Sequence, residues 1–154
     1  MVHDRLRAAL LAAALSASAA ALPGCDSHDH DDHSHSTGTL MTMRSGTSDA
    51  KLYQLKWETD PATVVVGELF RVRTTLQDAN GQPVLGATLA VDAWMPEHGH
   101  GMEGVAPLTV ESTATQGLYE TEGMRCQMPG QWELRFTIDG TPGADKGTLP
   151  MAVQ

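Results

Sequence analysis

The sequence predicts an all-β domain, an immunoglobulin-like seven-stranded antiparallel β-sandwich that follows an N-terminal signal and a disordered linker. Three observations carry this. Trp132, Leu134, Phe136 and Ile138 alternate with Glu133, Arg135, Thr137 and Asp139, the period of a strand with one face buried. Turn-forming clusters break the chain at short intervals, as in Asp78-Ala79-Asn80-Gly81-Gln82-Pro83, Pro129-Gly130 and Asp139-Gly140-Thr141-Pro142-Gly143. No stretch between them has a convincing helical period.

Seven apolar runs follow in order. Tyr53, Leu55 and Trp57 form the first, and Phe70, Val72, Thr74 and Leu76, alternating with Arg71, Arg73 and Thr75, form the second. Leu89, Val91, Ala93 and Met95 make the third. Leu108 with Val110 is the fourth, and Leu118 with Tyr119 the fifth. The run from Trp132 is the sixth, and Leu149, Met151 and Val153 close the set. Seven short strands in about 100 residues suit an immunoglobulin-type sandwich, although the Cys-Trp-Cys hallmark of antibody domains is absent. In that topology the third strand pairs antiparallel with the sixth, so the connection leaving the third lies beside the one entering the sixth. The C-terminus should finish at that end as well, and the chain preceding the domain should enter at the opposite one.

Residues 1–24 read as a lipoprotein signal peptide. Arg5 and Arg7 precede an uncharged stretch from Ala8 to Leu22 that is shorter than the ~20 residues of a membrane-spanning helix. Its ending, Leu22-Pro23-Gly24-Cys25, resembles a lipobox, with Cys25 the lipidated first residue of the mature chain. Acylation of Cys25 would leave Cys126 the only free thiol. Residues 25–49 read as a His/Asp-rich disordered tether without enough apolar surface to offset the entropy of ordering. His28, His30, His33 and His35 lie among aspartates there, a composition that suits an auxiliary metal-collecting tail or a solvated spacer. Residues 50–154 are the sandwich.

Chemistry concentrates in Met95-Pro96-Glu97-His98-Gly99-His100-Gly101-Met102, two imidazoles and two thioethers in eight residues. Imidazole nitrogen with thioether sulfur selects copper, above all Cu(I), whereas magnesium, calcium and manganese take oxygen donors. His98, His100 and Met102 are candidate ligands, the alternative for the histidines being plain exposure in a turn. Met95 continues an inward face and reads as core. The facing connection, Met124-Arg125-Cys126-Gln127-Met128, adds soft donors: Met128 as ligand or core plug, Met124 nearer core packing, and Cys126 as a thiolate ligand or a buried inert thiol. Glu97 and Glu103 supply charge beside a cation.

On Met95-Pro96 with the following His-Gly-His-Gly-Met, Gly117-Leu118-Tyr119, and Met128-Pro129-Gly130-Gln131-Trp132, the domain resembles the YtkA-like and FixH-like family of bacterial envelope proteins. The resemblance covers about residues 50 to 154. It implies an exported or membrane-anchored immunoglobulin-like sandwich, without enzymatic activity, in a family associated with copper handling and respiratory oxidase assembly.

Other classes fit less well. A blue-copper protein resembles a pattern in which His and Met follow Cys, yet no histidine follows Cys126. No Ser-His-Asp order at motif spacing and no phosphate-cradling loop appears, and a catalytic zinc would want carboxylate and histidine donors. Removing Asp4, Arg5 and Arg7 from totals of 10 basic and 19 acidic residues leaves 8 against 18, a charge of −10 that repels nucleic acid. The sequence therefore points to a copper-binding lipoprotein at the periplasmic or cell surface, a metallochaperone or sequestering protein. Its partners would be the metal, the membrane through its anchor, and an envelope protein accepting copper. The alternative is an adaptor or respiratory-complex assembly module that binds no metal.

Overall fold

The computed structural model describes residues 42–154. The signal peptide, Cys25 and the tail histidines His28, His30, His33 and His35 lie outside the described residues.

Nine strands build two antiparallel sheets, with no helix among the described residues. They are β1 (Arg44–Thr47), β2 (Tyr53–Asp60), β3 (Phe70–Asp78), β4 (Thr88–Met95), β5 (His100–Gly101), β6 (Leu108–Glu111), β7 (Leu118–Met124), β8 (Gly130–Gly140) and β9 (Gly143–Val153). The sheets order as β1-β2-β3-β7-β6 and β5-β4-β8-β9. Without β1 and β5 this is the four-plus-three arrangement of a constant-type immunoglobulin sandwich. Seven expected strands are thus nine. The two additions are short edge strands held by backbone pairing to a neighbour, so their side chains need not alternate.

Period-2 alternation directs the core. Tyr53, Leu55 and Trp57 of β2 and Val72 and Leu76 of β3 face Val91 and Ala93 of β4 and Trp132, Leu134, Phe136 and Ile138 of β8, all buried. In β7 the alternation is reset. Between the pairs Phe70↔Met124 and Val72↔Thr121 one residue of β3 opposes Glu122 and Gly123, a β-bulge with Gly123 at φ +78°. The extra residue turns Met124 into the core, where it is fully buried.

The pairing of β4 with β8 runs from Thr88↔Asp139 to Trp94↔Glu133, which places the end of β4 beside the start of β8, as expected. Val153 of β9 opposes Gly130, so the C-terminus also finishes at this loop end. The chain's entry differs from expectation. Arg44 opposes Trp57 and Thr47 opposes Gln54, so β1 runs away from the loop end before the chain reverses into β2. Residues 44–47 are therefore part of the sheet although they precede the boundary at residue 50. Arg-Ser-Gly-Thr has no apolar alternation to announce a strand; β2 supplies the ladder.

At the opposite end Tyr119 pins the β3–β4 connection. Its hydroxyl donates to the Val84 carbonyl at 3.0 Å and accepts from the Ala87 amide at 3.1 Å. Burial pushes the phenol pKa above its usual value, so the hydroxyl stays a donor through neutral and mildly alkaline pH. Tyr119→Phe should leave both backbone groups without that partner and cost about 1–3 kcal/mol. Urea unfolding should show it as a lower midpoint at unchanged slope; an unchanged midpoint would mean water replaces the hydroxyl.

Candidate metal centre

The histidine segment is a hairpin. Met95 pairs with His100 and Trp94 with Gly101, leaving Pro96-Glu97-His98-Gly99 as the turn. The amides of His98 and Gly99 donate to the Met95 carbonyl at 3.2 and 2.9 Å, and Gly99 takes φ +69°, which favours glycine. Gly101 is required by close approach: a Cβ there would lie 3.2 Å from the Ala93 carbonyl oxygen and 3.6 Å from the Trp94 ring.

The hairpin separates the two imidazoles by environment. His98 is exposed at the turn, whereas His100 is half-buried on β5. Their ring centroids are 5.9 Å apart at 68°. With metal–nitrogen bonds of ~2.0 Å, two imidazoles on one ion have centroids roughly 5–6 Å apart, so the spacing suits a shared cation. His100 Nδ1 lies 2.9 Å from the Gly101 carbonyl oxygen, which can only accept. Nδ1 is then the protonated nitrogen and Nε2 keeps its lone pair for a metal.

The second connection closes against the first. The Arg125 amide donates to Met102 Sδ at 3.4 Å, and Gln127 Nε2 donates to the Glu103 carbonyl at 2.9 Å. Gln127 Oε1 is buried in this seam without a partner. Met102 and Met128 are both partly buried and pack on the core cluster. Trp132 Nε1 donates to the Met128 carbonyl at 3.0 Å, and its ring meets His100 at 5.8 Å and 80°. Two connections distant in sequence thus bring His98, His100, Met102 and Met128 to one end, while Glu97 and Glu103 stay exposed beside them.

Met124 and Cys126 stand apart from this surface. Both are fully buried, Met124 by the bulge in β7 and Cys126 in the core, its carbonyl accepting from the Gly67 amide at 2.9 Å. Burial pushes the Cys126 thiol up to about 12. At pH 8 such a thiol is roughly 1000-fold less ionised than an ordinary one of pKa ~8.5, so the native chain should react with a disulfide reagent about that much more slowly than the unfolded chain. The same shift makes stability pH-dependent. The folded value exceeds the unfolded one, so its contribution is intact below pH ~8.5 and declines as pH rises toward 12. Equal labelling of native and unfolded chains would place the sulfur at the surface.

Among the described residues no group of three or more from His, Cys, Asp and Glu could hold a metal ion. The same end carries two imidazoles and two thioethers, with the Glu97 and Glu103 carboxylates exposed beside them; imidazole with thioether is donor chemistry that suits Cu(I), whereas calcium takes oxygen. Sequence reasoning missed two participants, Trp132 and Gln127. The signal available for Trp132 was its place as the first inward aromatic after Pro129-Gly130.

A family profile described as YtkA-like matches residues 48–137. Among solved structures, the ZirS C-terminal domain superposes at 11% identity over 92% of this chain and 86% of that one, with a TM-score of 0.36, too loose a likeness to bear on function. No curated protein matches the chain.

Proposed function

The chain belongs to the YtkA-like family of extracellular and envelope domains, and from that premise we propose that it is a membrane-anchored copper-binding protein, a carrier or store holding one Cu(I) ion through His98, His100, Met102 and Met128. The observation that carries the reading is the pairing of His100 with the Gly101 carbonyl, which leaves Nε2 free within 5.9 Å ring spacing of His98. Met124 and Cys126 drop out of the ligand set because both are buried away from the loop surface. A blue-copper centre would need the Cys126 sulfur at the loop surface, and that side chain is fully buried in the core.

Thioethers are neutral donors that exchange readily, which suits transfer to an envelope protein accepting copper. Lipidation of Cys25 would hold the sandwich at the membrane, with the four tail histidines collecting ions nearby. No catalytic step is involved. The test is a Cu(I) competition titration against a chromogenic chelator, using a chain whose tail histidines are replaced by glutamine. One equivalent held by the sandwich is expected. No competition at all would overturn the reading and leave an adaptor that binds protein alone.

A further inference from the structure

We propose that Trp132 is a positioning residue of this site, holding both metal-binding connections in register and walling its inner side so that a soft monovalent cation is favoured over a hydrated divalent one. The inference rests on the copper reading above. Trp132 is fully buried as the first inward residue of β8, where its backbone is fixed by pairing to Met151 of β9. Its ring meets His100 edge-on at 5.8 Å, and its Nε1–H donates to the Met128 carbonyl at 3.0 Å. One rigid indole therefore touches a donor residue from each of two connections that are far apart in sequence. Met95, which ends β4 and leads into the histidine hairpin, is buried in the same core, its Cε 3.0 Å from where a Cβ on Gly130 at the start of β8 would stand.

This wall has a chemical consequence. Zinc and nickel take additional nitrogen, carboxylate or water ligands to complete their coordination, and on its inner side the site meets an indole edge that offers none. Cu(I) and Ag(I) are satisfied by few soft donors. The indole also ties occupancy to a visible proton, because a ligand shift at Met128 or His100 alters the field at Trp132 Nε1–H.

The experiment uses the full chain with the four tail histidines replaced by glutamine, ¹⁵N-labelled at tryptophan and titrated with Ag(I), a redox-inert soft probe. The indole signals of Trp57, Trp94 and Trp132 are assigned from single phenylalanine variants. The Trp132 signal should move to saturation at one equivalent of Ag(I), with the core residue Trp57 silent, and the same concentration of Zn(II) should move neither. Trp132→Phe keeps a ring beside His100 and loses the donor to Met128; its Ag(I) affinity should fall at least about tenfold, with the Ag(I)-over-Zn(II) preference reduced. Should that variant fail to fold, the wild-type indole shift decides. One equivalent of Ag(I) bound with Trp132 unmoved overturns the role of Trp132 and leaves the copper reading standing. No Ag(I) or Cu(I) bound overturns both.

Discussion

Replacing His100 and Met102 together by alanine is expected to weaken Cu(I) binding by at least about 100-fold while leaving the fold in place. Removing a partner that merely orients a ligand costs 10–100-fold, so deleting two donors should reach the upper end or exceed it. The two residues enter from one hairpin, but Met102 is also the acceptor of the Arg125 amide across the seam, at 3.4 Å. The double change therefore removes a donor pair and slackens the second connection. Neither side chain belongs to the buried core, since both are half-buried, so the destabilisation should stay near ~1–2 kcal/mol. Thermal unfolding followed alongside the chelator titration separates the two effects. Retained affinity in a folded double variant would move the site off the hairpin. The exposed carboxylate Glu97 is the matched control, because its removal should change affinity little at physiological salt.

The largest effect on stability should come from Gly117→Ala, at about 2–5 kcal/mol. Gly117 precedes β7 with φ +70°, and its carbonyl accepts the Leu76 amide at 2.8 Å. A Cβ there would stand 2.9 Å from both the Leu76 carbonyl oxygen and Pro83 Cβ. Left-handed backbone costs an alanine roughly 1–2 kcal/mol, and forcing atoms into packed space costs about 1–3 more, here against backbone that cannot swing away. Gly81 is the control: φ is +80°, yet nothing lies within 4 Å of its Cβ position. Gly81→Ala should cost only the backbone share. In a domain of this size the Gly117 change corresponds to a fall in Tm of roughly 10–20 °C. Equal losses at the two glycines would show that contact adds nothing to conformation. Gly117 lies at the end of the sandwich away from the hairpin, so Cu(I) affinity of the folded fraction should be unchanged.

Much of the fold was legible because burial on one face of a sheet writes a period of two into the side chains. The runs at Tyr53, Phe70, Leu89 and Trp132 all became long strands of the two sheets. Where backbone alone holds a strand, nothing is written. β1 and β5 carry no alternation, and β9 begins at Gly143, six residues before the Leu149 run that announced it, because the partner β8 extends the ladder back to the Gly140↔Gly143 pair. The meeting of the two connections at one end was also readable, since it follows from which strands pair.

What the sequence by itself determined was therefore the sandwich, its strand partners and the soft chemistry of one end. Only the tertiary structure decided which soft donors face that end. A bulge at Glu122 and Gly123 turns Met124 inward, and packing closes over Cys126 and holds its proton, while a hairpin turn sends His98 to solvent and sets His100 against Trp132. Residue type and spacing specify what a side chain can bind. Its direction depends on backbone irregularities and on neighbours far away in the chain, and those are set only when the two sheets pack together.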